Sequence, residues 1–521
     1  MKKIYPFLAL LVLLSSCKTH HSLFGGKKQN NKSIVILYEN DVHCGIDGYA
    51  KLAGLRDAIL SSDTAYAAAV SCGDYLQGGV SGAISQGQYI VDIMRNVGYD
   101  AVTIGNHEFD YGTPRMKNLL PQISAPVVCA NFFDVGATQP FYAPYVIHQY
   151  GKKKVAFVGA CTPETMSAES YSFYDEAGNL LYDMKPAEFY SIIQQAVDNA
   201  RADGAHYVVL LSHVGEAASE MNIDSHKLVE ATRGIDVVLD GHSHAVVPNV
   251  QVLNMDGKPV GVTQTGTQFA NIGKLLISRK GEFSTSLLPA ADISYTNDKV
   301  VATTDSIKKL MEQVTKRQIA ESDYALEIFD GEGVRQVRKA ETNLGDLVAD
   351  AFRHNMDAEI GLCNGGGIRN TIAAGVITYG DAINVLPFDN HMCKLEATGS
   401  EIVAMLEKCV SMVPEEDGNF PQVSGLRFII HTVSHTVSDV QVLDASTGEY
   451  QPIDLSRKYT VSTTDYYNSG GFYGILKGCT LLKSTTLLAR DAFSDFLEHA
   501  MSGAVGSAYE QSQGRVTKID D

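Results

Sequence analysis

Through the first half of the chain, short apolar runs stop again and again at polar clusters. Ile34-Val35-Ile36-Leu37 runs into Asn40-Asp41-Val42-His43, and Tyr66 to Val70 into Cys72-Gly73-Asp74. Ala101-Val102-Thr103-Ile104 runs into Gly105-Asn106-His107-Glu108-Phe109-Asp110, Val127-Val128 leads to Asn131, and Val155 to Val158 leads to Thr162. Val208 to Leu211 runs into Ser212-His213, and Val237-Val238-Leu239 into Asp240-Gly241-His242-Ser243-His244. Continuous β-branched runs with helical stretches between them predict buried strands of an α/β fold. Ligand sites in open α/β sheets lie at the carboxyl ends of strands, which is where these clusters fall. His148 and His206 stand apart from them and are expected to be buried histidines satisfied by core hydrogen bonds.

From Ser306 the period changes. Ile307, Leu310, Met311 and Val314 fall at helical spacing after a loop near Thr296 to Asp298, predicting one amphipathic helix. Helical spacing returns at Leu344, Leu347, Val348, Ala351 and Phe352, at Ile402, Met405, Leu406 and Cys409, and at Phe493, Phe496, Leu497 and Ala500. Between these lie Cys363-Asn364-Gly365-Gly366-Gly367-Ile368-Arg369 and Leu386-Pro387-Phe388-Asp389-Asn390. Consecutive glycines let backbone approach a ligand closely.

The N-terminus reads as an address. Lys2 and Lys3 precede an apolar run from Ile4 to Leu14, too short to span a bilayer as a mature helix. Leu14-Ser15-Ser16-Cys17 resembles a bacterial lipobox, which implies cleavage after residue 16 and a lipid on Cys17. Residues 17–32 read as a tether.

The chain of 521 residues has 42 Lys+Arg against 60 Asp+Glu, a formal charge of -18. That balance argues against general nucleic-acid binding, because phosphate backbones would be repelled. Small anions remain acceptable if metals or local cations gather them. Nine cysteines form no C-x-x-C pair, so neither a zinc ribbon nor a dense disulfide scaffold is expected.

Asp41, His43, Asp74, Asn106, His107, His213, His242 and His244 all sit at predicted strand ends. Converging without metal, they would leave buried polar groups unpaired at a cost of a few kcal/mol each. Two divalent metals sharing a carboxylate resolve that problem. As a set these motifs resemble the calcineurin-like metallophosphoesterases, and Gly105-Asn106-His107-Glu108-Phe109-Asp110 resembles more narrowly the 5′-nucleotidase family.

The resemblance implies an α/β fold: a metallophosphoesterase β-sandwich flanked by helices over 33–297, a linker helix over 298–322, and an α+β substrate domain over 323–521. It implies that Asp41, His43, Asp74 and His244 hold one metal. Asp74 would bridge to a second, held also by Asn106, His213 and His242. The donors suit Zn, Mn, Co or Fe. His107 and Asp110 match the family's catalytic dyad, and Glu108 is given no direct role. Arg335, Arg338 and Arg369 match phosphate-binding arginines, and Asn364, Gly366 and Gly367 the glycine-rich substrate loop. Phe388 and Tyr466 match the aromatic pair that sandwiches the base, and Asn390 a polar contact to its edge.

One departure stands out. The family often reads Asn-Gly-Gly-Asp-Gly after the second aromatic, and that Asp grips ribose. Here Phe472 takes its place. The implied protein is an exported, lipid-anchored, monomeric enzyme facing the periplasm or cell surface, hydrolysing nucleoside 5′-phosphates. UDP-sugar hydrolase and 2′,3′-cyclic phosphodiesterase/3′-nucleotidase are its enzymatic alternatives. A non-catalytic nucleotide-binding surface lipoprotein is the alternative of another class, against which the intact dyad and ligand set argue.

Overall fold

The computed structural model describes residues 32–175, 179–216, 221–469 and 471–520. Cys17, the lipobox and all of the tether before Lys32 lie outside them.

The expected strands form two sheets packed face to face. The first has the order Phe283–Pro289, Asn271–Ile277, Ser33–Glu39, Ala65–Ser71, Ala101–Val102. The second has the order Val246–Leu253, Pro259–Thr265, Val237–Leu239, Tyr207–His213, Lys153–Cys161, Tyr145–Tyr150. Alternation along each strand explains the continuous apolar runs. Ile34, Ile36 and Tyr38 point between the sheets and meet Phe157, Val209, Leu211 and Leu239. Val35 and Leu37 point the other way, into a core with Leu52, Ile90 and Ile93 from helices Gly48–Ser61 and Gln88–Val97. Val158, Val208 and Leu210 of the second sheet likewise meet Phe189, Ile193 and Val197 of helix Phe189–Ala202. The central strands of each sheet are thus covered on both faces, as such runs require, while the edge strands Val246–Leu253 and Phe283–Pro289 are largely exposed.

Two expected strands are shorter than their apolar runs. Ala101–Val102 ends after two residues, and Val127 and Val128 form only isolated bridges to Val102 and Ala143. Thr103 instead donates its hydroxyl to the Val128 carbonyl at 2.8 Å, turning the chain toward Gly105. The two expected core histidines also differ. His206 is exposed and accepts from the Lys154 N–H at 3.1 Å. His148 is half-buried against the Tyr150 and Phe157 rings, and its Nε2 has no hydrogen-bond partner.

Asn297 accepts from the N–H groups of Lys299 and Val300 and so starts helix Asp298–Thr315. The helix begins before the apolar stripe that signalled it and stops short of residue 322. Gln318–Ser322 is a strand, because Ile319, Ala320 and Ser322 are buried against Gly375–Thr378. Leu310, read as part of the stripe, is 46% exposed. Ile307 belongs to the first region's core, whereas Val314 packs on the second's, so the helix touches both.

The C-terminal region has a five-stranded sheet, Pro421–Ser424, Ile360–Asn364, Lys458–Thr464, His391–Thr398, Thr480–Leu488. A four-stranded sheet of Glu449–Pro452, Thr436–Asp444, Leu426–His431 and Val516–Ile519 lies beside it. Helices Asn343–Asn355 and Gly399–Val410 are started by Thr342 and by the Thr398–Glu401 capping box. Their expected apolar faces are all buried. Among the described residues no helix is long and apolar enough to cross a membrane.

Candidate metal centre and substrate cleft

The polar clusters converge at one end of the sandwich. One donor atom each from Asp41, His43, Asp74 and His244 lie within 4.8 Å of one another. His43 Nε2 and His244 Nε2 are 2.9 Å apart, with Asp41 Oδ1 3.5 Å from the latter and Asp74 Oδ2 3.8 Å from the former. Two imidazole nitrogens facing each other between carboxylates form a donor set for a divalent cation. His213 Nε2 lies 3.0 Å from Asp74 Oδ2, and His242 Nδ1 2.9 Å from Asn106 Oδ1. Asp74 therefore touches both groups of donors.

Tight loops hold these side chains. Asp41, His43, Asp74, His242 and His244 all have φ between 39° and 78°. Left-handed backbone is costly for a residue with a Cβ and persists only where the surroundings enforce it. Glycines make room: a Cβ on Gly105 would lie 2.2 Å from Asp74 Oδ1, and one on Gly241 2.8 Å from His213 Nδ1. Burial pushes Asp41 up to about 7 and His43 down to about 4. Against the penalty of its own burial, Asp74 is held well below the usual carboxylate range by His213 and His107.

His107 lies beside this cluster without belonging to it. Its main-chain N–H donates to Asp74 Oδ1 at 2.9 Å, and its Nδ1 is 3.0 Å from Asp110 Oδ1. Although burial disfavours the charged ring, Asp110 and then Asp74 hold His107 well above an ordinary histidine.

Two neighbours carry roles that the motif reading did not assign. Glu108 is fully buried and accepts from the N–H groups of Gly105, Asp74, Tyr75 and Leu76 at 2.6–3.1 Å. It clamps the Asp74 loop to the Asn106 loop. Its place inside the His107–Asp110 motif was the available signal. Glu169 joins His107 and Asp110, with donor atoms within 4.8 Å. Burial and then the Asp110 charge push it up to about 8. No motif marks it in the sequence. Cys44 and Cys72 are buried thiols pushed well above the usual range by burial.

In the C-terminal region, Arg338, Asn364, Gly366, Gly367, Phe388, Asn390 and Tyr466 line one cavity of about 320 Å³, with Gly418 and Asn419 as further walls. Arg338 Nε is buried without a hydrogen-bond partner. Burial, then Arg335 and Arg369, hold its guanidinium below the usual range. A cluster of mutually repelling arginines is suited to an anion. Arg369 lies over Phe388, 5.9 Å from the ring centroid. Neither Arg369 nor Arg335 lines the cavity itself, and Arg335 Nη1 lies 3.5 Å from Glu416 with its guanidinium over Phe329. Phe472 is buried in the core, its N–H donating to Asn419 Oδ1 at 2.8 Å.

Gln77 links the segment that carries Phe388 and Asn390 to the metal-donor cluster. His43 Nδ1 is 3.1 Å from Gln77 Oε1, and Gln77 Nε2 donates to Asp389, the residue after Phe388.

A calcineurin-like phosphoesterase family model matches residues 34–246, and a 5′-nucleotidase C-terminal domain model matches residues 318–474. The chain is 26% identical to the 5′-nucleotidase of Bos taurus over 501 residues, covering 84% of this chain and 83% of that one. It is 27% identical over 489 residues to the trifunctional nucleotide phosphoesterase protein YfkN of Bacillus subtilis, covering 84% of this chain and 32% of that one. The chain thus spans about a third of the Bacillus protein's length. The crystal structure of a 5′-nucleotidase precursor from Thermus thermophilus matches with a TM-score of 0.60 at 26% identity, covering 94% of this chain and 100% of that one.

Proposed function

The chain belongs to the 5′-nucleotidase family of calcineurin-like metallophosphoesterases, a family of metal-dependent hydrolases, and from that premise we propose that it hydrolyses nucleoside 5′-phosphates to nucleoside and phosphate. The observation that carries this reading is a metal-donor cluster and the His107–Asp110 pair, joined through Gln77 and Asp389 to the segment that lines a cavity with two aromatics and an arginine whose Nε has no hydrogen-bond partner.

Asp41, His43, Asp74 and His244 would hold one divalent ion, and Asp74, Asn106, His213 and His242 a second. Such ions neutralise phosphate charge and lower the pKa of water, so that hydroxide is available near neutral pH. The chain's own groups do the rest. Arg338 and Arg369 grip phosphate oxygens, and Phe388 and Tyr466 hold the base between them. His107, kept protonated by Asp110, donates a hydrogen bond to the phosphoryl group and stabilises charge as the ester bond breaks. The buried Phe472 supplies no ribose-binding carboxylate, which favours 2′,3′-cyclic phosphodiesterase/3′-nucleotidase chemistry as the second reading.

The test is phosphate release by the purified protein with Mn, Zn or Co. Substrates are a nucleoside 5′-phosphate, its 3′-isomer, a 2′,3′-cyclic nucleotide and a UDP-sugar. The 5′-phosphate is expected to have the highest kcat/KM, and a faster 3′- or cyclic substrate would overturn the primary reading. We place the enzyme outside the cytoplasm on a lipid attached to Cys17. Cys17→Ser is expected to remove fatty-acid labelling and to leave residues 1–16 uncleaved, and a wild-type protein that carries no fatty acid would refute the anchor.

A further inference from the structure

The segment that carries Phe388 and Asn390 is tied down on the C-terminal side by buried groups. Arg490, 1% exposed on its side chain, pairs with Asp389 and donates through Nη1 to the Phe388 carbonyl at 3.3 Å. The Ala489 N–H donates to the Asn390 carbonyl at 2.9 Å. His391, 2% exposed, joins this segment to the one bearing Tyr466. Its N–H and Nδ1 each lie 3.0 Å from an Asp465 carboxylate oxygen, and the Asp465 N–H donates back to its carbonyl at 2.9 Å. Both aromatics of the cavity therefore ride on one hydrogen-bonded unit.

That unit meets the metal-bearing region at two points. Asp389 accepts from Gln77 Nε2, and Gln77 Oε1 lies 3.1 Å from Nδ1 of His43. The His391 ring packs on the Tyr171 ring with centroids 4.5 Å apart. The Tyr171 hydroxyl donates to the Asp110 carbonyl at 2.7 Å and lies 3.0 Å from Glu169 Oε2. One contact thus ends at a metal-donor histidine and the other beside His107–Asp110. None of the four contact residues lines the cavity.

We infer that Gln77–Asp389 and Tyr171–His391 form a two-point clasp that holds the aromatic unit against the metal-bearing region when the two are docked. Gln77, Asp389, Tyr171 and His391 are positioning residues. The inference rests on the nucleotidase reading for its kinetic consequence but on geometry alone for the clasp. Displacement of a bound phosphate by about 1 Å costs on the order of 10²-fold in rate, so loosening the clasp should penalise substrates held by their base. An aryl phosphate, which needs no base contact, should lose less.

Two variants test this. Gln77→Glu keeps an oxygen toward His43 but sets a carboxylate against Asp389 at a part-buried position. His391→Leu removes the Tyr171 ring contact and the Nδ1 bond to Asp465, and leaves the two main-chain bonds to Asp465 in place. We expect the ratio of kcat/KM for a nucleoside 5′-phosphate over an aryl phosphate to fall roughly 10–100-fold in each. Small-angle X-ray scattering should show both variants more extended than the wild type. Scattering curves superimposable on the wild type, or an unchanged substrate ratio, would overturn the clasp. Should His391→Leu not fold, Gln77→Glu decides alone. A wild type with no preference for the nucleotide refutes the functional reading instead, and scattering still judges the clasp.

Discussion

At the metal end of the cleft, Asp41, Asp74 and His213 are fully buried, and five of the seven donors sit in left-handed backbone. At the proposed nucleoside end, Phe388 is 47% and Tyr466 37% exposed. The difference follows from what each end must hold. Fixed charges of a cation need donors already in place, and the cost of strained backbone and buried carboxylates is met by the two sheets that enforce it. A base need only slide between two flat faces, and stacking tolerates small misplacements. Substitutions at the metal end should therefore act on every substrate, and those at the nucleoside end on nucleotides alone.

The largest expected effect is at Asp74, which touches both donor groups. Asp74→Ala should lose metal and lower turnover of nucleotide and aryl phosphate alike by several orders of magnitude. Metal analysis and kinetics on one preparation check it, and normal turnover at normal metal content would sink the assignment. His107→Ala comes next. It should lower kcat by about 10²–10⁴-fold for both substrates while metal content stays at the wild-type value. Loss of metal in that variant would make His107 a ligand rather than a hydrogen-bond donor to the phosphoryl group.

Glu108 refines the comparison, because it supports the metal end without touching a substrate. Glu108→Gln turns an amide N–H₂ toward backbone N–H donors and leaves at least one unpaired, at about 1–3 kcal/mol of stability. Metal affinity should fall about 10–100-fold. Thermal unfolding and metal titration report the two effects separately, and a wild-type result in both would mean that the four N–H bonds are dispensable.

The metal end was legible in the sequence because strand-end clusters are local: Asp41 and His43, Asn106 and His107, and His242 and His244 are each two residues apart or fewer. Glu169 was not legible, since it meets the dyad only through the fold. Glu108 was visible and given no direct role, which its contacts with backbone N–H groups alone leave standing, but its part as a buried anchor for two loops shows only in the fold. In the other half, the glycine-rich segment and the aromatics were legible as motifs, yet Arg335 turns to Glu416 instead of the cavity. Motif spacing cannot resolve which of two neighbouring arginines faces inward. The boundary helix was visible through its stripe, but periodicity alone missed the cap at Asn297 and the strand after Thr315.

Phe388→Ala is expected to be selective. Loss of one stacking face should cost about 1–3 kcal/mol in kcat/KM for nucleotides and leave an aryl phosphate close to the wild type. Equal losses on both substrates would remove the stacking assignment.

The smallest expected effect concerns ribose. A site built to bond a hydroxyl rejects a substrate that lacks it by about 10⁴–10⁵-fold, because its own polar groups are left unpaired. Here the residue at the position of the family's ribose-gripping Asp is Phe472, whose side chain is buried in the core rather than turned to the cleft. None of the described residues that line the cavity is a carboxylate. Asn419 lines it, but its Oδ1 already accepts from the Phe472 N–H. With no carboxylate to strand, removing the 2′-hydroxyl should change kcat/KM by less than about tenfold. A ribonucleoside 5′-phosphate and its 2′-deoxy analogue, compared in the wild type, give the measurement. A ratio of several hundred would show that another group takes over the missing carboxylate, and Asn390 and Asn419 would be the first to substitute. Phe472→Asp completes the argument: if the turned-in backbone alone excludes the ribose, the substitution should destabilise the core without raising the ratio, whereas a raised ratio would mean that the loop can still present a carboxylate to the sugar.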